Sequence, residues 1–83
     1  MDEKFKKILE KIHGKKRLEI IEFLALNSND DNFVFINIEE LCKRLSISKP
    51  TIINTFKFLE EKKVLEKLKN GLYKLKIGDD YEN

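Results

Sequence analysis

Between residues 37 and 62 the chain carries two helix-start signals so close together that two helices must follow one another across a three-residue connection. Asn37 with Glu40 three residues later resembles a capping box, in which the Asn side chain accepts a backbone N–H of the first turn, so a helix is predicted from Ile38 to about Leu45. Ser46, Ile47 and Ser48 leave room only for a tight turn. Ser48 is placed to cap the next helix, and Pro50 falls in its first turn, where a missing N–H sacrifices no helical hydrogen bond. This helix is predicted from Lys49 to about Lys62. At 100° per residue it carries Ile52, Phe56 and Leu59 on one stripe and Pro50, Asn54, Lys57 and Glu61 on the opposite side, which fixes an inner and an outer face.

Downstream, Val64–Lys69 and Leu72–Ile77 read as strands joined by Asn70-Gly71, a pair whose tolerance of positive φ makes it a strong hairpin signal. A two-residue turn sets Lys69 opposite Leu72, Leu68 opposite Tyr73, Lys67 opposite Lys74, Glu66 opposite Leu75 and Leu65 opposite Lys76. Alternation then gives one face with Val64, Leu68, Tyr73, Leu75 and Ile77, and another with Lys67, Lys69, Lys74 and Lys76. Upstream, Phe5, Ile8, Leu9 and Ile12 repeat at helical spacing over Asp2–His13, with Lys4, Lys7 and Lys11 on the other side. Gly14 interrupts this helix. Leu18, Ile21, Leu24 and Ala25, with Ile20 and Phe23 beside them, form a second helix expected at the centre of the core. Asn27–Asn32 is a polar loop, and Phe33–Ile36 a short strand.

A chain of 83 residues supports one small domain around one core. Its single cysteine, Cys42, cannot form an internal disulfide and is read as a packed side chain, consistent with a reducing, cytoplasmic setting. No apolar run approaches the roughly 18 residues of a membrane span, and Met1–Lys7 is charged with no apolar region behind it, so neither a span nor a signal peptide is expected. One His, one Cys and no Trp offer no recognisable nucleophile, base or metal-ligand spacing, and His13 beside Gly14 reads as a helix-end residue. An enzyme, a metal and a cofactor are therefore not expected, and no small-molecule ligand is evident.

Charge is more informative by segment than in total. The net +2 divides into +4 over residues 1–17, −4 over 18–48, +5 over 49–76 and −3 over 77–83. Two basic blocks about an acidic one favour a polyanionic partner.

The order helix, helix, short strand, helix, tight turn, helix, hairpin is carried by Glu40-Leu41-Cys42-Lys43-Arg44-Leu45-Ser46-Ile47-Ser48-Lys49-Pro50-Thr51-Ile52 and Leu59-Glu60-Glu61-Lys62-Lys63-Val64-Leu65. These residues resemble the helix-turn-helix and wing of winged-helix DNA-binding domains such as the MarR-type regulators. The very short wing, Lys67-Leu68-Lys69-Asn70-Gly71-Leu72-Tyr73, is more similar to that of plasmid replication proteins of the RepL type. Ser46 and Lys63 stand where such domains often have Gly, and Ile53 where a polar base-reading residue is common. The resemblance implies a mainly α (α+β) winged helix-turn-helix at residues 15–78. An additional amphipathic helix would occupy residues 1–14 and a loose tail residues 79–83.

The implied partner is double-stranded DNA, bound in transcriptional control or plasmid-type replication control. Asn54 can pair with both N6 and N7 of adenine, Thr51 can reach a base edge or phosphate, Lys49 and Lys57 can reach guanine edges or phosphates, and Ile53 can pack on a thymine methyl. Lys15, Lys16, Arg17, Ser48, Lys67, Lys69, Lys74 and Lys76 are the candidate phosphate contacts. Lys67 opposite Lys74 would be a like-charge pair that a phosphate relieves, although exposed-strand lysines also guard against edge aggregation. The alternative function is a protein-binding winged helix using Ile53, Phe58 and Leu72. The stripe Phe5, Ile8, Leu9 and Ile12 is costly to leave in water and is expected to make a homodimer interface, with packing on its own domain the alternative.

Overall fold

In a computed structural model, which describes residues 2–78, the chain runs α1 (Glu3–His13), α2 (Lys15–Asn27), β1 (Phe33–Phe35), α3 (Ile38–Leu45), α4 (Lys49–Glu61), β2 (Leu65–Lys69) and β3 (Leu72–Leu75). The three strands form one antiparallel sheet in the order β1-β3-β2. This is the expected mainly α (α+β) winged helix-turn-helix, and the expected tail at 79–83 lies outside the described residues.

Local chemistry explains the elements. Asn37 Oδ1 accepts the Glu40 backbone N–H at 3.1 Å, which starts α3 at Ile38 as the capping pattern requires. Ser46 and Lys63, the two positions where Gly would be usual, both have left-handed backbones, with φ of 56° and 62°. The Ile47 N–H reaches back to the Cys42 carbonyl, while the N–H groups of Lys63 and Val64 reach the carbonyls of Glu60 and Leu59. These are the 6→1 and 5→2 bonds of helix ends that turn through a left-handed residue. The turn between α3 and α4 thus needs one residue with positive φ, and this chain supplies it without glycine.

The core gathers Ile20 and Leu24 from α2, Val34 and Ile36 from the β1 region, Leu41 from α3, and Ile47. Ile52, Phe56 and Leu59 join them from α4, with Leu65, Tyr73 and Leu75 from the hairpin. α2 is central, as its apolar breadth implies, although Ala25 is exposed. Phe56 and Tyr73 meet edge to face at 5.1 Å, joining α4 to the wing. In contrast α1 buries no residue: Leu9 is half-buried, while Phe5, Ile8 and Ile12 are 52%, 50% and 67% exposed.

The hairpin departs from its predicted register. Lys69 pairs with Leu72 across Asn70-Gly71 as expected, but Lys67 then faces Tyr73, Glu66 faces Lys74 and Leu65 faces Leu75, leaving Leu68 as a bulge. Gly71 has φ of 84°, whereas Asn70 is not among the positive-φ residues, so the turn is not the I′ type that requires both. The extra residue restores pairing beyond a turn of the wrong twist, and it shifts every β2 side chain before it. Leu68, in the bulge, is 43% exposed, and Ile77, beyond the end of β3, is 54% exposed, so neither is buried as the expected apolar face required. The strands are also shorter than predicted, because Val64, Lys76 and Ile77 fall beyond them and Ile36 lies outside β1.

Candidate nucleic-acid interface

The faces of α4 are those predicted. Ile52, Phe56 and Leu59 are buried, and Pro50, Asn54, Lys57 and Glu61 are exposed on the outside. Asn54 and Lys57 thus project from a helix whose opposite side is locked in the core, the arrangement in which a side chain can be held against a base edge. Glu61 lies on the same outer face near the C-terminus and adds negative charge at that end of the helix.

Three candidate residues are tied within the protein. Lys49 Nζ lies 3.6 Å from a Glu39 carboxylate oxygen, which draws it toward α3. The hydroxyls of Ser48 and Thr51 lie 3.0 Å apart, so Ser48 occupies the helix-cap position but bonds the Thr51 side chain rather than a backbone N–H. Thr51 also accepts the Thr55 hydroxyl through its carbonyl at 2.9 Å.

Grooves flank α4 on both sides. On one side a groove of about 360 Å³ is lined by His13 to Arg17 together with Thr51, Asn54 and Thr55. Lys15 and Lys16 are exposed there, at the start of α2, whose cap position is Gly14 and has no side-chain cap. The Arg17 guanidinium sits 4.2 Å from the centre of the Phe58 ring, and the His13 ring is 6.2 Å from it, so Phe58 is covered on this side.

On the other side a groove of about 320 Å³ runs between α4 and the wing, with Ile38, Ile53, Lys57, Glu60, Lys67 and Tyr73 in its walls. The bulge brings Lys67 here, because a residue directly opposite Tyr73 shares its side of the sheet. The expected pairing of Lys67 with Lys74 does not occur, and the repulsion that a phosphate was to relieve is absent. Instead Glu66 faces Lys74 and lies 3.8 Å from Lys76, while Lys74 sits half-buried with its Nζ 5.4 Å from the centre of the Phe33 ring. Of the four wing lysines, Lys67 and Lys69 lie on β2, and Lys74 and Lys76 flank a carboxylate. Ile53, Phe58 and Leu72 form no common patch, since Ile53 faces the wing, Phe58 faces α2, and Leu72 pairs with Phe35 across the sheet.

Sequence reasoning placed Tyr73 on the apolar face of the hairpin and gave it no further role. Its side chain is indeed 6% exposed, yet it lines the groove beside Lys57 and Lys67. Burial, with the Glu60 carboxylate nearby, pushes its phenol pKa up.

The family profile described as Firmicute plasmid replication protein (RepL) matches residues 3–78. The chain belongs to the RepL family. The match takes in every helix and strand among the described residues of this RepL-family chain, α1 included. No curated protein and no solved structure matches it. Among its described residues, no group of three or more His, Cys, Asp or Glu side chains could hold a metal ion, and no helix is long and apolar enough to cross a membrane.

Proposed function

We propose that the chain binds double-stranded DNA in the cytoplasm as a plasmid replication control protein, without catalysis. The outer face of α4 enters the major groove, and the wing and the start of α2 lie on the flanking phosphates. The observation that carries this is the outer face of α4, with Asn54 and Lys57 exposed between two grooves, one bordered by Lys15 and Lys16 and the other by Lys67. A solvated surface helix needs no cationic groove on either side, whereas a helix in the major groove has a phosphate strand along each. The family description favours replication over transcriptional regulation as the process.

Base preference rests on Asn54 and Lys57, with Ile53 available to a thymine methyl. Lys49 and Thr51 contribute only after leaving Glu39 and Ser48, each an exposed contact that is cheap to break. Two copies pair through α1, whose exposed Phe5, Ile8 and Ile12 would be covered by the same stripe of a second chain. Titration of the protein with genomic and random duplexes at several salt concentrations tests the proposal. Affinity should fall steeply with salt, and Asn54→Ala should cost about 1–3 kcal/mol on the preferred site and little on random DNA. Salt-independent binding, or equal losses on both DNAs, would reject this mode.

A further inference from the structure

Tyr73 is the one core aromatic that brings a polar group to the edge of α4. Its ring is fixed edge to face on Phe56 at 5.1 Å, and it is the central-strand partner of both Val34 and Lys67. Packing would be served equally by Phe. The hydroxyl has no hydrogen-bond partner among the described residues, and it is not a fully buried orphan either, because no such atom occurs among them. Tyr73 lines the groove whose walls carry Lys57 from α4 and Lys67 from β2, and the Glu60 carboxylate of that groove acts on its phenol.

We infer that the Tyr73 hydroxyl, with the ammonium groups of Lys57 and Lys67, forms a seat for a single DNA backbone phosphate between α4 and the wing. This rests on the proposed DNA binding and adds to it a neutral donor on a rigid element. A lysine supplies a mobile point charge, whereas a hydroxyl on a ring packed in the core supplies a donor at a fixed place, which sets where along the strand the phosphate sits. Glu60 is the opposing charge in the groove. It weakens the seat and makes a signed expectation possible, because its removal should tighten binding.

The experiment compares the full chain with Tyr73→Phe, Lys67→Gln, the double variant and Glu60→Gln on random-sequence duplex at several salt concentrations, with a thermal melt of each protein. Tyr73→Phe should melt as the unaltered protein does and bind about five- to tenfold more weakly at every salt concentration, without changing the slope of log K against log salt, since a neutral donor displaces no counterion. Lys67→Gln should flatten that slope by about 0.9. The double variant should lose less than the product of the single losses, because both groups hold one phosphate. Glu60→Gln should bind more tightly. Wild-type affinity for Tyr73→Phe, or strictly multiplicative losses in the double variant, overturns the seat while leaving the DNA-binding proposal standing. Failure of the unaltered protein to bind duplex overturns both.

Discussion

Replacing Ser46 and Lys63 by Gly should stabilise the protein, by an amount set by two backbone angles. Each residue ends a helix in the left-handed region, with φ of 56° and 62°. For a residue with a Cβ this conformation costs about 1–2 kcal/mol relative to the right-handed region, and Gly escapes the cost. Gly also gives the unfolded chain more freedom, which takes back about 0.4–1 kcal/mol. The net gain is about 0.5–1 kcal/mol per site. Both side chains are exposed and neither is a partner in the side-chain hydrogen bonds described, so no contact is lost to offset it. The bonds at the two helix ends share no group, so the effects should add to about 1–2 kcal/mol. At about 4–8 °C per kcal/mol for a domain this small, the double variant should melt some 5–15 °C higher by circular dichroism or calorimetry. Ser46→Ala and Lys63→Ala are the controls, since Ala keeps the Cβ and should give no such gain. An unchanged or lower melting temperature for the Gly variants, or an equal rise for the Ala variants, would refute backbone strain as the cause.

Other expectations are open to direct measurement. Replacing Lys67 and Lys69 by Gln should flatten the salt dependence of duplex binding, measured by fluorescence anisotropy, by about 0.9 per lysine, and more than replacing Lys74 and Lys76, which flank Glu66; equal effects of the two pairs would remove the distinction. Ile8→Asp with Ile12→Asp should give a folded single chain with weaker DNA binding by sedimentation and gel shift, and an unaltered protein that already sediments as one chain would return α1 to its own domain. Because the folded-state pKa of Tyr73 is raised, the unfolded chain ionises first; stability from this group is complete below about pH 10 and declines as pH rises through the folded value. Urea melts between pH 8 and 11 should therefore show a smaller alkaline loss for Tyr73→Phe than for the unaltered protein.

The elements that could be read from the sequence are those whose limits depend on one residue's chemistry. Asn37 caps α3, Gly14 separates α1 from α2, and Asn70-Gly71 turns the hairpin where expected. The faces of α4 were legible for a related reason, since a regular helix converts residue number into direction and an error of one position moves a side chain by only 100°. A strand is less forgiving. One bulged residue, Leu68, reverses the side on which Lys67 points, and nothing local to β2 announces it. Partners on different elements were equally hidden: Glu39 beside Lys49 and Glu66 between Lys74 and Lys76 depend on how elements dock, which spacing along one element does not report.

That single bulge changes the physical case for a polyanion partner. A regular hairpin would have gathered four lysines on one face, with mutual repulsion as the sign that an anion belonged there. The bulged hairpin removes the Lys67–Lys74 pairing by setting Glu66 opposite Lys74 and next to Lys76, so a carboxylate partly offsets the positive charge there without any ligand. Lys67 is transferred to the inner side, where it joins Lys57 at the mouth of the groove beside α4. Positive charge is thereby moved from a broad exposed sheet to the line along which a phosphate strand would run if α4 lay in the major groove. Fewer lysines face the candidate surface than the sequence promised. Those that remain stand beside the residues available for base contact, where one phosphate contact also fixes the register of the helix on the duplex.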